Sequence, residues 1–467
     1  MIKPDLAQFK RLARKGNLVP VYKEIVADME TPVSAFKKIA GPYSFLLESV
    51  EGGEKIARYS FLGTCPKNEV QRPRTFAQIK EILAKYRPVR VAGLPRFSGG
   101  LVGYISYDAV RQIERIPNAN PDDLNLPLMQ FILAETLLAF DHLKHRIVII
   151  ANARIKGDPA RAYRQAVRQI AALEAKLKKP LRTTELEADR QRPVKFRSNV
   201  SRREYEEMVQ HARQYIKAGE IIQVVLSQRL ETRCQADPFN VYRALRAINP
   251  SPYMYYFQLG NTQIVGSSPE VMVRLEKGTA TLRPIAGTRP RGRDEAEDKK
   301  LADELLASKK ERAEHVMLVD LGRNDLGRVC DYGSVRVTEE MVIEKYSHVM
   351  HIVSNVSGKL KRGRDAVDLV RAVFPAGTVS GAPKVRAMEI IDELENRQRG
   401  LYAGCVGYFS FSGEHDSGIA IRTILIKNGQ AYVQAGAGLV YDSVPAKEYQ
   451  ETLNKARALL TAVETTR

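Results

Sequence analysis

Apolar residues recur along this chain in two different periods, and the period changes from segment to segment. After the capping box Ser201-Arg202-Arg203-Glu204, Tyr205, Met208, Val209, Ala212 and Ile216 follow at helical spacing, and Gly219 closes the run. That pattern predicts a helix with one buried face. "IIQVVLSQRL" (221–230) is continuously apolar at its start and predicts a buried strand. Helical spacing returns as one long helix over 295–320 and as two shorter ones over 366–374 and 383–395. "GYFSF", "GIAIRTILI" and "QAYVQAGAG" then predict consecutive strands over 407–438. A last helix is predicted from about Val444 to Thr461, opened by Asp442 or Ser443. In the first 150 residues "YSFLLESV" (43–50) and "GGLVGYISYD" (99–108) predict strands, and 135–154 predicts two more joined by a polar turn. Strands cluster and helices cluster without strict alternation, so the fold class is α+β with antiparallel sheets rather than doubly wound. Residues 179–197, with two prolines and many charges, read as a linker between an N-terminal region (1–180) and a second region (199–462).

Composition narrows this picture. The 467 residues are 44% apolar, enough for a substantial core. The N-terminal segment MIKPDLAQFKRLARKGN does not read as a signal peptide, and the apolar runs are too short to span a bilayer. Cys65, Cys234, Cys330 and Cys405 lack CxxC spacing, which points away from a disulfide framework or a zinc site and towards a cytoplasmic protein. The net charge of +19 raises a nucleic-acid reading. Its distribution weakens that reading, since 154–197 alone holds 13 Lys/Arg and 5 Asp/Glu. This stretch reads as a basic helix with Tyr163, Val167 and Ile170 inward, presenting a solvated face or one for an anionic partner. Zinc-finger spacing, an RRM signature and heptads do not accompany the charge.

Several residues could carry chemistry. Glu311 and Glu314 are three apart, as are Glu448 and Glu451, so each pair shares a helix face. Such faces are solvated unless they converge, in which case they make an oxygen-rich site for a hard cation such as Mg²⁺. Gly436, Ala437 and Gly438 either form a tight turn or let backbone N–H groups approach an anion. Arg422, inside an apolar strand, needs a partner, either an internal carboxylate or a carboxylate-bearing substrate. His351 is a structural histidine or an acid–base group. Glu270, in "GSSPE", carries little information in isolation. "GTVSGAPK" (377–384) lacks the spacing of a phosphate loop, and "AGCVG" (403–407) sits among residues that favour a packed strand over a nucleophile elbow.

Taken in order, "PIAGTRPRGR", "EHVMLVDLGRNDLGRVC", "SHVMHIVSNVSG", "GTVSGAPKVRAMEIIDELE", "GYFSF", "IAIRT" and "QAGAGLVYDSVPAKEYQETLNKA" resemble the chorismate-utilising enzymes, most closely the anthranilate synthase branch. The resemblance covers nearly the whole chain and is strongest from 200 to 460. It implies one large α+β fold, a two-sheet sandwich flanked by helices, to which both regions contribute. The implied reaction adds ammonia to chorismate at C2, expels the 4-hydroxyl, and eliminates pyruvate to leave anthranilate. Glu314 and Glu451 would hold Mg²⁺ against the ring carboxylate, with Glu311 and Glu448 in support. Tyr402 and Arg422 would contact the enolpyruvyl carboxylate, assisted by backbone groups at Gly287, Thr288, Gly436, Ala437 and Gly438. Glu270 matches the general acid for the departing hydroxyl. His351 and Thr378 match positions near the reacting ring, with His351 assigned to the elimination.

Two positions discriminate among family members. Aminodeoxychorismate synthases often carry a lysine where this chain has Ala286, and isochorismate and salicylate synthases carry a lysine base where it has Gln223. Alanine has no nucleophile and glutamine cannot deprotonate water at neutral pH, so free ammonia is the expected nucleophile. Aminodeoxychorismate or aminodeoxyisochorismate synthesis is the alternative within the family. The chain has no glutaminase elbow, so the resemblance implies a separate glutamine amidotransferase small subunit. Ser49, Pro252, Tyr253 and Met254 match the tryptophan-binding segments, which implies feedback inhibition by L-tryptophan.

Overall fold

A computed structural model describes residues 1–49, 58–181, 194–346 and 349–466. Most of the stretch read as a linker lies outside them, as do Val50, Ser347 and His348.

Two antiparallel sheets, of thirteen and ten strands, dominate the described residues. Each is a composite of the two sequence regions. In the larger sheet Tyr43–Glu48 pairs with Tyr253–Leu259, and in the smaller Gly100–Ile105 pairs with Cys405–Ser410. Between the sheets, Phe45, Phe61, Ile264 and Leu425 from one face meet Tyr104, Ile132, Val406 and Tyr408 from the other. Helices cover the outer faces, including Pro159–Leu177 and Pro445–Glu464 on the larger sheet, Lys309–Gly327 and Ala366–Val373 on the smaller. This is the α+β sandwich that the patterning and the resemblance predict. The basic helix is Pro159–Leu177, with Ile170 fully buried, and the helix at Arg202–Lys217 carries the predicted capping box. No described helix is long and apolar enough to cross a membrane. All four cysteines are buried.

Three local expectations are corrected. The single helix over 295–320 is two, Glu295–Ala307 and Lys309–Gly327, because Ser308 turns out of helical geometry and its hydroxyl accepts the Glu311 N–H. The break places Glu311 and Glu314 in the opening turns of the second helix. Arg422 is not within a strand. The chain leaves the smaller sheet after His415–Ile419 and enters the larger one at Thr423–Lys427, and Arg422 lies on that crossing with φ of 50°. A left-handed backbone at a residue with a side chain is a strained conformation, and such residues concentrate at functional sites. Lastly, neither Asp442 nor Ser443 caps the final helix: Val444 stands at the N-cap, and Pro445, which has no N–H to satisfy, opens Pro445–Glu464. The Ser443 hydroxyl instead accepts from Val440 N at 3.0 Å.

Candidate active site

The crossing at Arg422 lies beside the strand Gln430–Leu439, to which Lys455 ties it. Its small residues lie within a ladder and make no turn, with Ser227, Leu226 and Val225 opposite Gly436, Ala437 and Gly438. Val225 and Ser227 give their N–H groups to Ser380 and Glu395 on their far side, so Leu226 and Ala437 make the ladder bonds here. Gly436 and Gly438 therefore turn their N–H groups to the opposite edge, past the point where the neighbouring strand's pairing ends at Ile424–Val433. A side chain cannot replace Gly436 cheaply, since a Cβ would stand 2.7 Å from the Tyr402 hydroxyl and 2.8 Å from the Leu226 carbonyl oxygen. At Gly438 it would stand 2.7 Å from Gln223 Nε2, which would have to swing aside.

Arg422 reaches the same space. Its Nη1 donates to the Lys455 carbonyl at 2.5 Å, and among the described residues no carboxylate lies within 4 Å of it. Burial pulls its guanidinium below the usual range, opposed by Tyr402 and Glu451. Tyr402 is buried, and burial pushes its phenol up to about 12. Of the two partners open to Arg422, an internal carboxylate is thus not supplied by the described fold.

Glu270 stands at the turn into Val271–Glu276, where its carbonyl accepts Ile419 N at 3.0 Å. Burial raises its carboxyl to about 7, against the opposing pull of the Thr378 hydroxyl and Lys455. Thr378 and Glu270 line one cavity with Gly377 and Leu321. His351 sits on Val349–Lys359, opposite Thr288. Its Nδ1 lies 2.9 Å from the Gly287 carbonyl and 3.2 Å from the Thr288 hydroxyl. A proton on Nδ1 satisfies that carbonyl and leaves Nε2 as the basic nitrogen. Burial lowers the His351 pKa, the Gly287 carbonyl raises it, and the charge of Arg422 lowers it, so both groups face one space. Gly287 forms a bulge between Ala286 and Thr288 with φ of 63°. Its Cα comes so close to the helix Lys309–Gly327 that an added Cβ would be 3.1 Å from Glu311 Oε2.

Across the two helices, Glu314 and Glu451 lie close enough for their charges to interact. Burial, then the charges of Glu311 and Glu451, push the Glu314 carboxyl up, and burial and Glu451 raise Glu448. Glu314 Oε1 accepts only a long bond, 3.3 Å, from Gln223 Nε2, and Glu451 pairs with Lys455 at 2.6 Å. Mutually repelling carboxylates facing one space suit a hard divalent cation. No three acidic, His or Cys side chains among the described residues stand close enough to share an ion as they are placed. The donor set therefore fits Mg²⁺ in chemistry, and the ligand geometry is not preformed.

Sequence patterning missed Lys455. It pairs with Glu451, donates to the Gly436 carbonyl at 3.0 Å, and through its own carbonyl anchors Arg422. Its spacing of four from Glu451 was the available signal. The arginines of 284–293 separate by role. Arg291 forks onto Asp298, Arg293 pairs with Glu297, and only Arg289 points to the carboxylates, 3.5 Å from Glu311.

Ser49, Pro252, Tyr253 and Met254 line one cavity between the two sheets, together with Arg274, Tyr408 and Asp416. Met254 pairs with Glu48, which brings the end of one strand beside the start of the other. The Ser49 hydroxyl is buried there without a partner, and Tyr253 donates to Asp416 at 2.7 Å.

Residues 43–461 match the model of the chorismate binding enzyme family. Anthranilate synthase component 1 of Acetivibrio thermocellus is 49% identical over 99% of this chain and 99% of that one. Its counterpart in Aquifex aeolicus is 47% identical over 98% and 97%. The crystal structure of anthranilate synthase component I from Streptococcus pneumoniae superposes with a TM-score of 0.79 at 38% identity, covering 93% of this chain and 99% of that one.

Proposed function

The chain belongs to the chorismate binding enzyme family, and we propose that it is an anthranilate synthase large subunit, converting chorismate and ammonia to anthranilate, pyruvate and water. The observation that carries the reading at the level of the site is Arg422. A desolvated guanidinium on a strained crossing, with only a backbone carbonyl for company, is complementary to a substrate carboxylate. The enolpyruvyl carboxylate takes Arg422, the Tyr402 hydroxyl and the free N–H groups of Gly436 and Gly438. The ring then lies between Glu270 and His351, with the bulge at Gly287 and Thr288 beneath it.

Ammonia attacks C2 as the 4-hydroxyl departs, and Glu270 supplies the proton that makes the leaving group water. A carboxyl held near 7 is protonated in a useful fraction at neutral pH, which an ordinary glutamate is not. In the second half, His351 Nε2 takes the proton from C2 and the enolpyruvyl group leaves as pyruvate, restoring aromaticity. Thr378 borders Glu270 in the same cavity. Glu314 and Glu451, with Glu311 and Glu448 beside them, would hold Mg²⁺, which would supply charge neutralisation and orientation for the ring carboxylate. Ala286 carries no amine to compete with ammonia, which favours this reading over an aminodeoxychorismate synthase. The ammonia comes from a glutamine amidotransferase small subunit, and L-tryptophan inhibits from the cavity between the sheets. The enzyme works in the cytoplasm.

The test is incubation of the chain with chorismate, Mg²⁺ and an ammonium salt at alkaline pH, followed by anthranilate fluorescence. Signal that disappears with EDTA and on replacing Glu314 or Glu451 by alanine is expected. An aminated product that retains the enolpyruvyl group would overturn the reading, and glutamine-dependent activity of the isolated chain would overturn the separate subunit.

A further inference from the structure

Arg399 is the largest fully buried side chain among the described residues, and of the groups assigned to the substrate's carboxylates it meets the ring face of Tyr402. Every one of its nitrogens is nevertheless engaged. Nε and Nη2 fork onto Glu395 at 2.9 and 2.6 Å, Nη1 donates to the Val379 carbonyl at 2.8 Å, and Nη2 also donates to the Val225 carbonyl at 2.6 Å. The guanidinium lies against two aromatic rings, 4.8 Å from the centre of Tyr107 and 5.4 Å from that of Tyr402. Glu395 uses its remaining capacity on Ser227, accepting its N–H at 2.9 Å and its hydroxyl at 2.7 Å.

These contacts converge on the pieces of one site. Val379 follows Thr378 in the same short turn, Gly377–Val379. Val225 and Ser227 stand opposite Gly438 and Gly436. Tyr402 supplies the phenol beside Gly436. A fully buried ion pair returns little net stability, because desolvating both charges offsets their attraction. An apolar pair of similar volume would hold the core as well, but it could not bind two carbonyls, a backbone N–H, a hydroxyl and a ring face at fixed geometry.

We infer that Arg399 and Glu395 form a positioning pair that sets the register between the Thr378 turn, the Tyr402 phenol and the Gly436–Gly438 edge, so that the chorismate site is assembled before substrate arrives. The inference rests on reading this cavity as the chorismate site. It works through neighbours: the pair contacts no reacting atom, and its effect passes through Tyr402 and Thr378. Displacements of about 1 Å at such groups can lower turnover about 100-fold.

The test compares wild type with Arg399→Lys, which keeps the charge and loses the fork, and with Ser227→Ala, which removes one hydroxyl from Glu395 and leaves the ion pair in place. Arg399→Lys is expected to lower kcat/KM ~100-fold with KM for chorismate raised at least ~10-fold, at unchanged near-ultraviolet circular dichroism. Ser227→Ala is expected to move KM in the same direction by a smaller factor. Because the Thr378 hydroxyl pulls Glu270 downward, loosening that turn should also shift the descending limb of the pH profile to higher pH. A purely structural pair would lower kcat through loss of folded enzyme, with KM and the limb unmoved in both variants. That outcome, or wild-type kinetics in both, overturns the inference. Should Arg399→Lys fail to fold, Ser227→Ala decides alone by its KM and pH limb. Failure of wild-type enzyme to form anthranilate would instead sink the functional reading on which this rests.

Discussion

Two polar cavities of this protein treat their charges in opposite ways. Between the sheets, around Ser49 and Tyr253, charge is settled internally. Asp416 takes Arg96 at 2.9 Å, Arg274 at 3.2 Å and the Tyr253 hydroxyl at 2.7 Å, which holds its carboxyl below the usual range although burial opposes this. Around Arg422, charge is left unsettled. Among the described residues the guanidinium has no carboxylate within 4 Å, Glu270 is forced up to about 7, Glu314 faces other carboxylates, and Gln223 Oε1 is buried without a hydrogen-bond partner. Leaving a buried polar group unpaired costs about 1–3 kcal/mol, and both regions hold such groups, Ser49 Oγ, Arg96 Nε and Arg274 Nε in the first and Gln223 Oε1 in the second, so the contrast lies in the pairing of charge. The difference teaches what each cavity can bind. An unsettled site selects a ligand by charge. A settled one, walled by Tyr59, Phe61, Tyr253 and Tyr408, offers aromatic shape and a few hydrogen bonds, which suits the tryptophan proposed for it.

The contrast can be broken most sharply at Glu270. Glu270→Gln should lower kcat by about 1000-fold, within the range for loss of a general acid, and should abolish the fall in wild-type rate as pH rises through about 7. Its stability should move the other way. A carboxyl raised by burial is protonated when folded and ionised when unfolded between its two pKa values, so it progressively destabilises the fold as pH rises from about 4.5 to about 7. Glu270→Gln should therefore be more stable than wild type above pH 7 in thermal melts, with the advantage vanishing at pH 4. Equal melting curves at all pH values would show that Glu270 is not held neutral by the fold.

A smaller effect is expected at Arg422. Arg422→Gln should raise KM for chorismate ~30-fold or more, corresponding to ~2 kcal/mol for a lost charge-assisted contact. An unchanged KM would mean that this charge is settled after all. The smallest effect on catalysis belongs to the other cavity. Ser49→Phe fills the space at the unpartnered hydroxyl and should raise the tryptophan concentration for half inhibition at least about tenfold, since one blocked pocket contact is worth ~1–3 kcal/mol. Retained inhibition would separate the cavity from tryptophan.

Some of this was legible residue by residue. The capping box at Ser201 and the inward positions of the helix after it are local, because i to i+4 neighbours are set by helix geometry alone. The strands Cys405–Ser410 and Gln430–Leu439 were legible for the same reason, being short apolar runs bounded by glycine or polar turns. Arg422 was misplaced because an apolar segment gives no sign of where a chain changes sheets. Lys455 was missed because its role depends on a carbonyl nineteen residues away, at Gly436, that no periodicity encodes.

By itself the sequence determined the fold class, several of the helices and strands, mostly after residue 200, the pairing of Glu311 with Glu314 and of Glu448 with Glu451 on shared faces, and the two absent lysines at Ala286 and Gln223. Only the tertiary structure decided that Glu314 and Glu451 come near each other, that Gly436 and Gly438 rather than Ala437 turn their N–H groups to the open edge, and that among the described residues Arg422 has no carboxylate within 4 Å. The physical reason is range. Side-chain identity and periodicity act over a few residues, whereas desolvation and charge depend on what the long-range strand pairings bring together, and those pairings join residues more than two hundred positions apart.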